Sequence, residues 1–102
     1  MNPPEKYQTT EVWLVRVFGQ VKGVGYRDAC VRRARTLGIT GWVRNLTDGF
    51  VEMTLQGSPK PLADMCRWLR NGISAAHVEG IEVIVPQPPL PHFDHFRRLP
   101  TL

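Results

Sequence analysis

The run from residue 12 to residue 18 (VWLVRVF) is apolar but for Arg16, β-branched and aromatic, with Trp13, Val15 and Val17 on one face and Gly19 ending it, which predicts a first strand. The period then lengthens. Tyr26, Cys30, Ala34 and Leu37 recur at helical spacing, Asp28, Arg32 and Arg35 fall elsewhere on the turn, and Gly38 is placed to cap the end of a first helix. Residues 39–44 are short and rich in β-formers, and residues 45–49 (NLTDG) carry an Asp-Gly turn signal. Val51, Met53 and Leu55 then alternate with Phe50, Glu52 and Thr54 as far as Gly57, so these segments predict a hairpin of second and third strands. Ser58 as N-cap, Pro59 in the first turn, an apolar stripe of Leu62, Met65 and Leu69, and a stop at Asn71-Gly72 predict a second helix. Ile81, Val83 and Val85 alternate within residues 78–85, a fourth strand. Beyond a Pro-rich loop at 86–91 (PQPPLP), residues 92–99 are expected to add a short edge strand.

The resulting order, βαββαβ plus a terminal strand, is that of the split βαβ or ferredoxin-like arrangement. This α+β fold is expected to have an antiparallel sheet, both helices on one face and the other face largely wet. The 102 residues suit one domain, 1–102, with residues 1–11 as a loose, Pro-bearing leader. The fold alone selects no chemistry, because domains of this shape bind RNA, carry metals, regulate and catalyse.

Thirteen Lys and Arg against nine Asp and Glu give a net charge of +4, which favours anionic partners without choosing among them. Cys30 and Cys66 fall on or near the apolar faces of the helices, so they read as small buried hydrophobes in a reducing compartment. The chain carries no long apolar run of the kind that spans a membrane, and its first ten residues lack the pattern of a secretory signal. A cytoplasmic monomer without membrane association is expected.

The junction of the first strand and first helix, residues 19–27 (GQVKGVGYR), places Gly19, Gly23 and Gly25 within seven positions. Such a loop lets successive backbone N–H groups turn inward and delivers them to a helix N-terminus, the physical parts of an anion nest. Arg27 stands in the first helical turn, where the helix dipole disfavours a cation. A bound anion would reverse that penalty, and Lys22 and Arg27 together shift the reading from a mere tight turn toward a phosphate-sized ligand.

These residues carry a resemblance. Residues 19–27 are similar to the G-x-V-Q-G-V-x-[FY]-R loop of the acylphosphatase family. Residues 37–45 (LGITGWVRN) followed by 48–52 (DGFVE) are similar to its L-G-x-x-G-W-V-x-N…D-G-x-V-E block. The likeness runs from about Val12 through residues 93–98. It implies the ferredoxin-like fold and hydrolysis of small acyl phosphates to carboxylate and inorganic phosphate, with no metal or cofactor and with phosphate as product and inhibitor. It also implies that Arg27 grips the phosphoryl group, that Asn45 orients the attacking water, and that the backbone amides of Gln20, Val21, Lys22, Gly23, Val24 and Gly25 cradle the phosphate. Lys22 stands where the family usually has Gln, and Leu46 where a hydroxyl residue is common.

An acyl phosphate has a good leaving group, so holding the phosphoryl oxygens and aiming a water in line is most of the task. No side chain reads as a general base, which leaves proton removal by the substrate's own phosphate open. Asn45 has a second reading, as a cap on the hairpin backbone. His77, His92 and His95 lack the spacing of a metal site. Asp48 is explained by its turn. Arg32, Arg33, Arg35 and Arg44 read as solvated, with an alternative in which Arg44 faces the phosphate. The competing classes are an RNA-binding module and a non-catalytic phosphate-ligand module. Residues 22–26 (KGVGY) echo an RNP1 opening, but they precede a helix instead of lying on a central strand, which argues against nucleic acid.

Overall fold

The computed structural model describes residues 9–21, 23 and 25–102. In chain order the elements are β1 (Glu11–Gln20), α1 (Tyr26–Thr36), β2 (Thr40–Asn45), β3 (Val51–Gly57), α2 (Pro59–Asn71), β4 (His77–Ile84) and β5 (Phe96–Arg98). They form one five-stranded sheet in the order β4-β1-β3-β2-β5. Each predicted element is present, with ends moved by at most two residues except in the terminal strand, which begins at Phe96, four residues into the expected 92–99; most of the expected leader, residues 1–8, lies outside the described residues.

Strand alternation sends Val15, Val17, Val43, Val51, Met53 and Leu55 to one face of the sheet. There they meet the helical stripes Tyr26, Cys30 and Ala34 of α1 and Leu62, Met65 and Leu69 of α2 in one continuous buried core. Gly38, with φ +72°, supplies the left-handed residue that ends α1. Gly72 closes α2 for a different reason. Its backbone is right-handed (φ −74°), and a Cβ there would lie 2.2 Å from Nε1 of Trp68, so close approach of the indole requires glycine. Ser58 begins α2 with its backbone, since its side chain makes no capping hydrogen bond.

Two expectations about the sheet are corrected. It is mixed, not purely antiparallel: β2 pairs with β5 in parallel, Gly41 opposite Phe96 and Val43 opposite Arg98. The chain leaves β4 at one edge and returns across the same end of the sheet, so β5 runs opposite to β4. Three antiparallel steps make β2 run opposite to β4 as well, and the two meet in parallel. The helix-free face is also drier than expected at that end, where Val12, Thr54 and Gln56 are 1%, 3% and 8% exposed. Residues 85–95, which contain the Pro-rich stretch, have no helix or strand and are tied to the sheet through Gln56. The Gln56 carboxamide donates to Pro91 O and accepts from the Phe93 N–H, both at 2.8 Å.

Candidate active site

At the opposite end of the sheet, β1 runs out into the glycine loop, β2 ends at Asn45, β5 ends at Arg98 and α1 begins. Together they enclose a cavity of about 180 Å³ lined, among the described residues, by Val21, Gly23, Gly25, Tyr26, Arg27, Asp28, Asn45 and Arg98. Gly23 and Gly25 adopt left-handed backbone, φ +74° and +72°, with open space where a Cβ would stand. Gly25 is the N-cap of α1 and accepts the Ala29 N–H at 3.0 Å, so the free end of the helix opens beside the loop. Gly19 serves packing: a Cβ there would lie 2.2 Å from the His77 carbonyl oxygen, at the irregularity in β1–β4 pairing between Phe18 and Gly19.

Of the residues singled out from the sequence, Arg27, Asn45, Val21, Gly23 and Gly25 converge on this cavity. Gln20 closes β1 opposite His77 and is not among the lining residues, and Lys22 and Val24 lie outside the described residues. Among the described residues the half-buried Arg27 forms no hydrogen bond or ion pair. Asn45 follows Val43 on the helix-side face, its peptide fixed by pairing with Val51 and by the Leu102 N–H donating to its carbonyl at 3.0 Å. Its side-chain Oδ1 is buried with no hydrogen-bond partner among the described residues. Burial of an unpaired amide oxygen costs free energy, on the order of 1–3 kcal/mol, so this is a polar group held in reserve. The capping alternative finds no support, since the side-chain bond in the hairpin turn comes from Asp48, whose Oδ1 accepts the Phe50 N–H at 3.0 Å.

Tyr26 fixes the first turn of α1 from below: its hydroxyl donates to Leu69 O at 2.9 Å. Burial, with Cys30 adding to it, pushes the Tyr26 phenol up, and burial pushes the Cys30 thiol up to about 12. Cys66 is raised by burial against an opposing pull from Arg70. These are inert packing groups, as expected for the cysteines.

The arginines expected to be solvated are corrected in two cases, Arg44 and Arg33, while Arg32 and Arg35 are exposed. Arg44 lies on the helix-free face, directly opposite Glu52 across the hairpin; it pairs with that carboxylate at 2.7 Å and lies 4.7 Å above the Trp42 ring, away from the cavity. Arg35 donates to Phe96 O at 3.0 Å and ties α1 to β5. Arg33 is half-buried beside the Trp68 ring. Two cavity residues are added that the sequence reading did not assign, Asp28 and Arg98, joined by an ion pair of 2.7 Å.

Comparison with known proteins identifies the family. A family model described as Acylphosphatase matches residues 13–98. An acylphosphatase of Polaromonas naphthalenivorans (strain CJ2) is 60% identical over 98 residues, covering 96% of this chain and 97% of the relative. Acylphosphatase 1 of Ralstonia nicotianae is 62% identical over 89 residues, 87% of each chain. The solved structure of an acylphosphatase from Coxiella burnetii superposes with a TM-score of 0.84 at 29% identity, covering 97% of this chain and 100% of that one. With a family model matched over most of its length and relatives this similar across nearly their whole length, the chain belongs to the acylphosphatase family.

Proposed function

We propose that Arg27 and Asn45 divide the work of acyl-phosphate hydrolysis in this member of the family. The phosphoryl group of a small acyl phosphate binds among the loop amides of residues 20–25 and the Arg27 guanidinium. A water molecule held by the Asn45 carboxamide then attacks phosphorus in line with the leaving carboxylate. The P–O bond to the acyl group breaks, its electron pair leaves with the carboxylate, and the water proton passes to a phosphate oxygen. No separate base is needed. Asp28, the carboxylate among the lining residues, is already committed to Arg98. The observation that carries this reading is the buried Oδ1 of Asn45, without a partner among the described residues, in the same small cavity as an arginine that is likewise unpaired among them. An amide changes no protonation state in the working pH range, so it suits a group that aims a water without taking its proton.

We propose a monomeric enzyme in a reducing cytoplasmic setting, which the two free cysteines suit. Among the described residues no helix is long and apolar enough to cross a membrane. An RNA-binding role is disfavoured by Tyr26, which is 2% exposed and hydrogen-bonded through its hydroxyl, and so has no face to offer a base. The test is turnover of a simple acyl phosphate in excess chelator. Phosphate should be released without added metal, and inorganic phosphate should inhibit competitively because substrate and product share one cradle. Folded protein that gives no turnover, strict dependence on added Mg²⁺, or non-competitive phosphate would contradict it.

A further inference from the structure

Asp28 occupies the first turn of α1, where a carboxylate favours the helix end but opposes any anion bound beside it. The N-cap, Gly25, has no side chain with which to satisfy that end, so the helix gains from Asp28 what a dianionic substrate loses by it. Arg98 stands across the conflict. It comes from β5, seventy residues further along the chain, lines the same cavity as Arg27 and Asn45, and places Nη1 at 2.7 Å from Asp28 Oδ1. β5 is itself held in place by its parallel pairing with β2, by buried Phe96, and by the Arg35 bond to the Phe96 carbonyl.

We propose that Arg98 is a positioning residue that cancels the Asp28 charge at the mouth of the phosphate cavity, leaving the field of Arg27 available to the phosphoryl group. This rests on the phosphate-binding role of the cavity proposed above. With both partners present, the formal side-chain charge of Arg27, Asp28 and Arg98 is +1. Losing Arg98 makes it zero, losing Asp28 makes it +2, and losing both restores +1. Both partners are about half exposed, so solvent moderates the effect and salt screens it.

A double-mutant cycle on the full chain, read as inorganic phosphate affinity by titration calorimetry at low ionic strength, distinguishes this from direct contact. Arg98→Ala should weaken phosphate about two- to fivefold, Asp28→Asn should tighten it by about as much, and the double variant should return close to the parent affinity. All three differences should shrink in about 0.5 M salt. A double variant as weak as Arg98→Ala would overturn the proposal in favour of direct phosphate contact, and an Arg98→Ala variant with unchanged affinity would overturn it outright. Unfolding midpoints for each variant show whether fold loss accounts for a change, and Arg98→Lys, which keeps the charge, should remain near the parent. If the parent chain itself fails to bind phosphate, the assignment of the cavity falls and the role of Arg98 falls with it, whereas phosphate binding by the parent with an unresponsive cycle overturns the role of Arg98 alone.

Discussion

Two carboxamides with buried oxygens, at opposite ends of neighbouring strands, have opposite fates. Gln56, at the end of β3, has its oxygen and its nitrogen satisfied by the loop that crosses the sheet. Asn45, at the end of β2, has its peptide fixed on both sides and, among the described residues, its side-chain oxygen left unpaired in a cavity that an unpaired arginine also lines. The chain thus had the means to satisfy a buried amide and did so at one end of the sheet only. Satisfied polar groups stabilise, and unsatisfied ones at a preorganised cavity are available to a ligand.

The largest effect should come from the site end. Arg27→Ala removes a guanidinium that forms no hydrogen bond or ion pair among the described residues, so kcat/KM should fall by about 10²–10³ with the unfolding midpoint hardly changed. Arg27→Lys should recover part of the loss, because a point charge lacks the bidentate fork. Turnover near that of the parent in either variant would remove Arg27 from the mechanism. At the other end, Gln56→Ala strips two loop groups of their partners and should lower stability by about 1–3 kcal/mol while kcat stays at the parent value wherever the protein is folded. A Gln56→Ala variant of full stability but impaired turnover would reverse the comparison.

The core between the two ends offers a smaller effect. Cys30 has its thiol raised from the ordinary 9.0 to about 12 by burial. The unfolded chain gives up this proton near pH 9 while the folded chain keeps it. The stability contribution is therefore complete below pH 9 and is lost as pH rises toward 12. Cys66, also raised, acts in the same direction. Denaturant midpoints across this range should fall, and Cys30→Ala should flatten the dependence; an unchanged slope in that variant would place the titration elsewhere.

What the sequence disclosed follows the range of the interactions. Residues 19–27 are local, so glycine placement and a cation in the first helical turn were enough to bring Arg27 forward; alternation and the Asp-Gly turn marked the hairpin 40–57, but Asn45 was singled out within it only by the likeness to the acylphosphatase block. The Arg44–Glu52 pair was within reach too, because the hairpin register that sets Asn45 opposite Val51 also sets Arg44 opposite Glu52. Arg98 and Asp28 were not. Their meeting depends on how residues 85–95 cross the sheet and on the parallel entry of β5, which no local period encodes. The same crossing dried the face around Gln56 that alternation alone marks as wet.

The difference between the two carboxamides is tested most directly by Asn45→Ala, with kcat, inorganic phosphate affinity and unfolding midpoint all measured on the same protein. The account predicts a steep fall in kcat, phosphate binding close to that of the parent, and a stability equal to or above it, since an unpaired buried oxygen is being removed. Retained kcat together with stability lower by more than about 1 kcal/mol would make Asn45 a structural amide like Gln56 and contradict the assignment of the water to it.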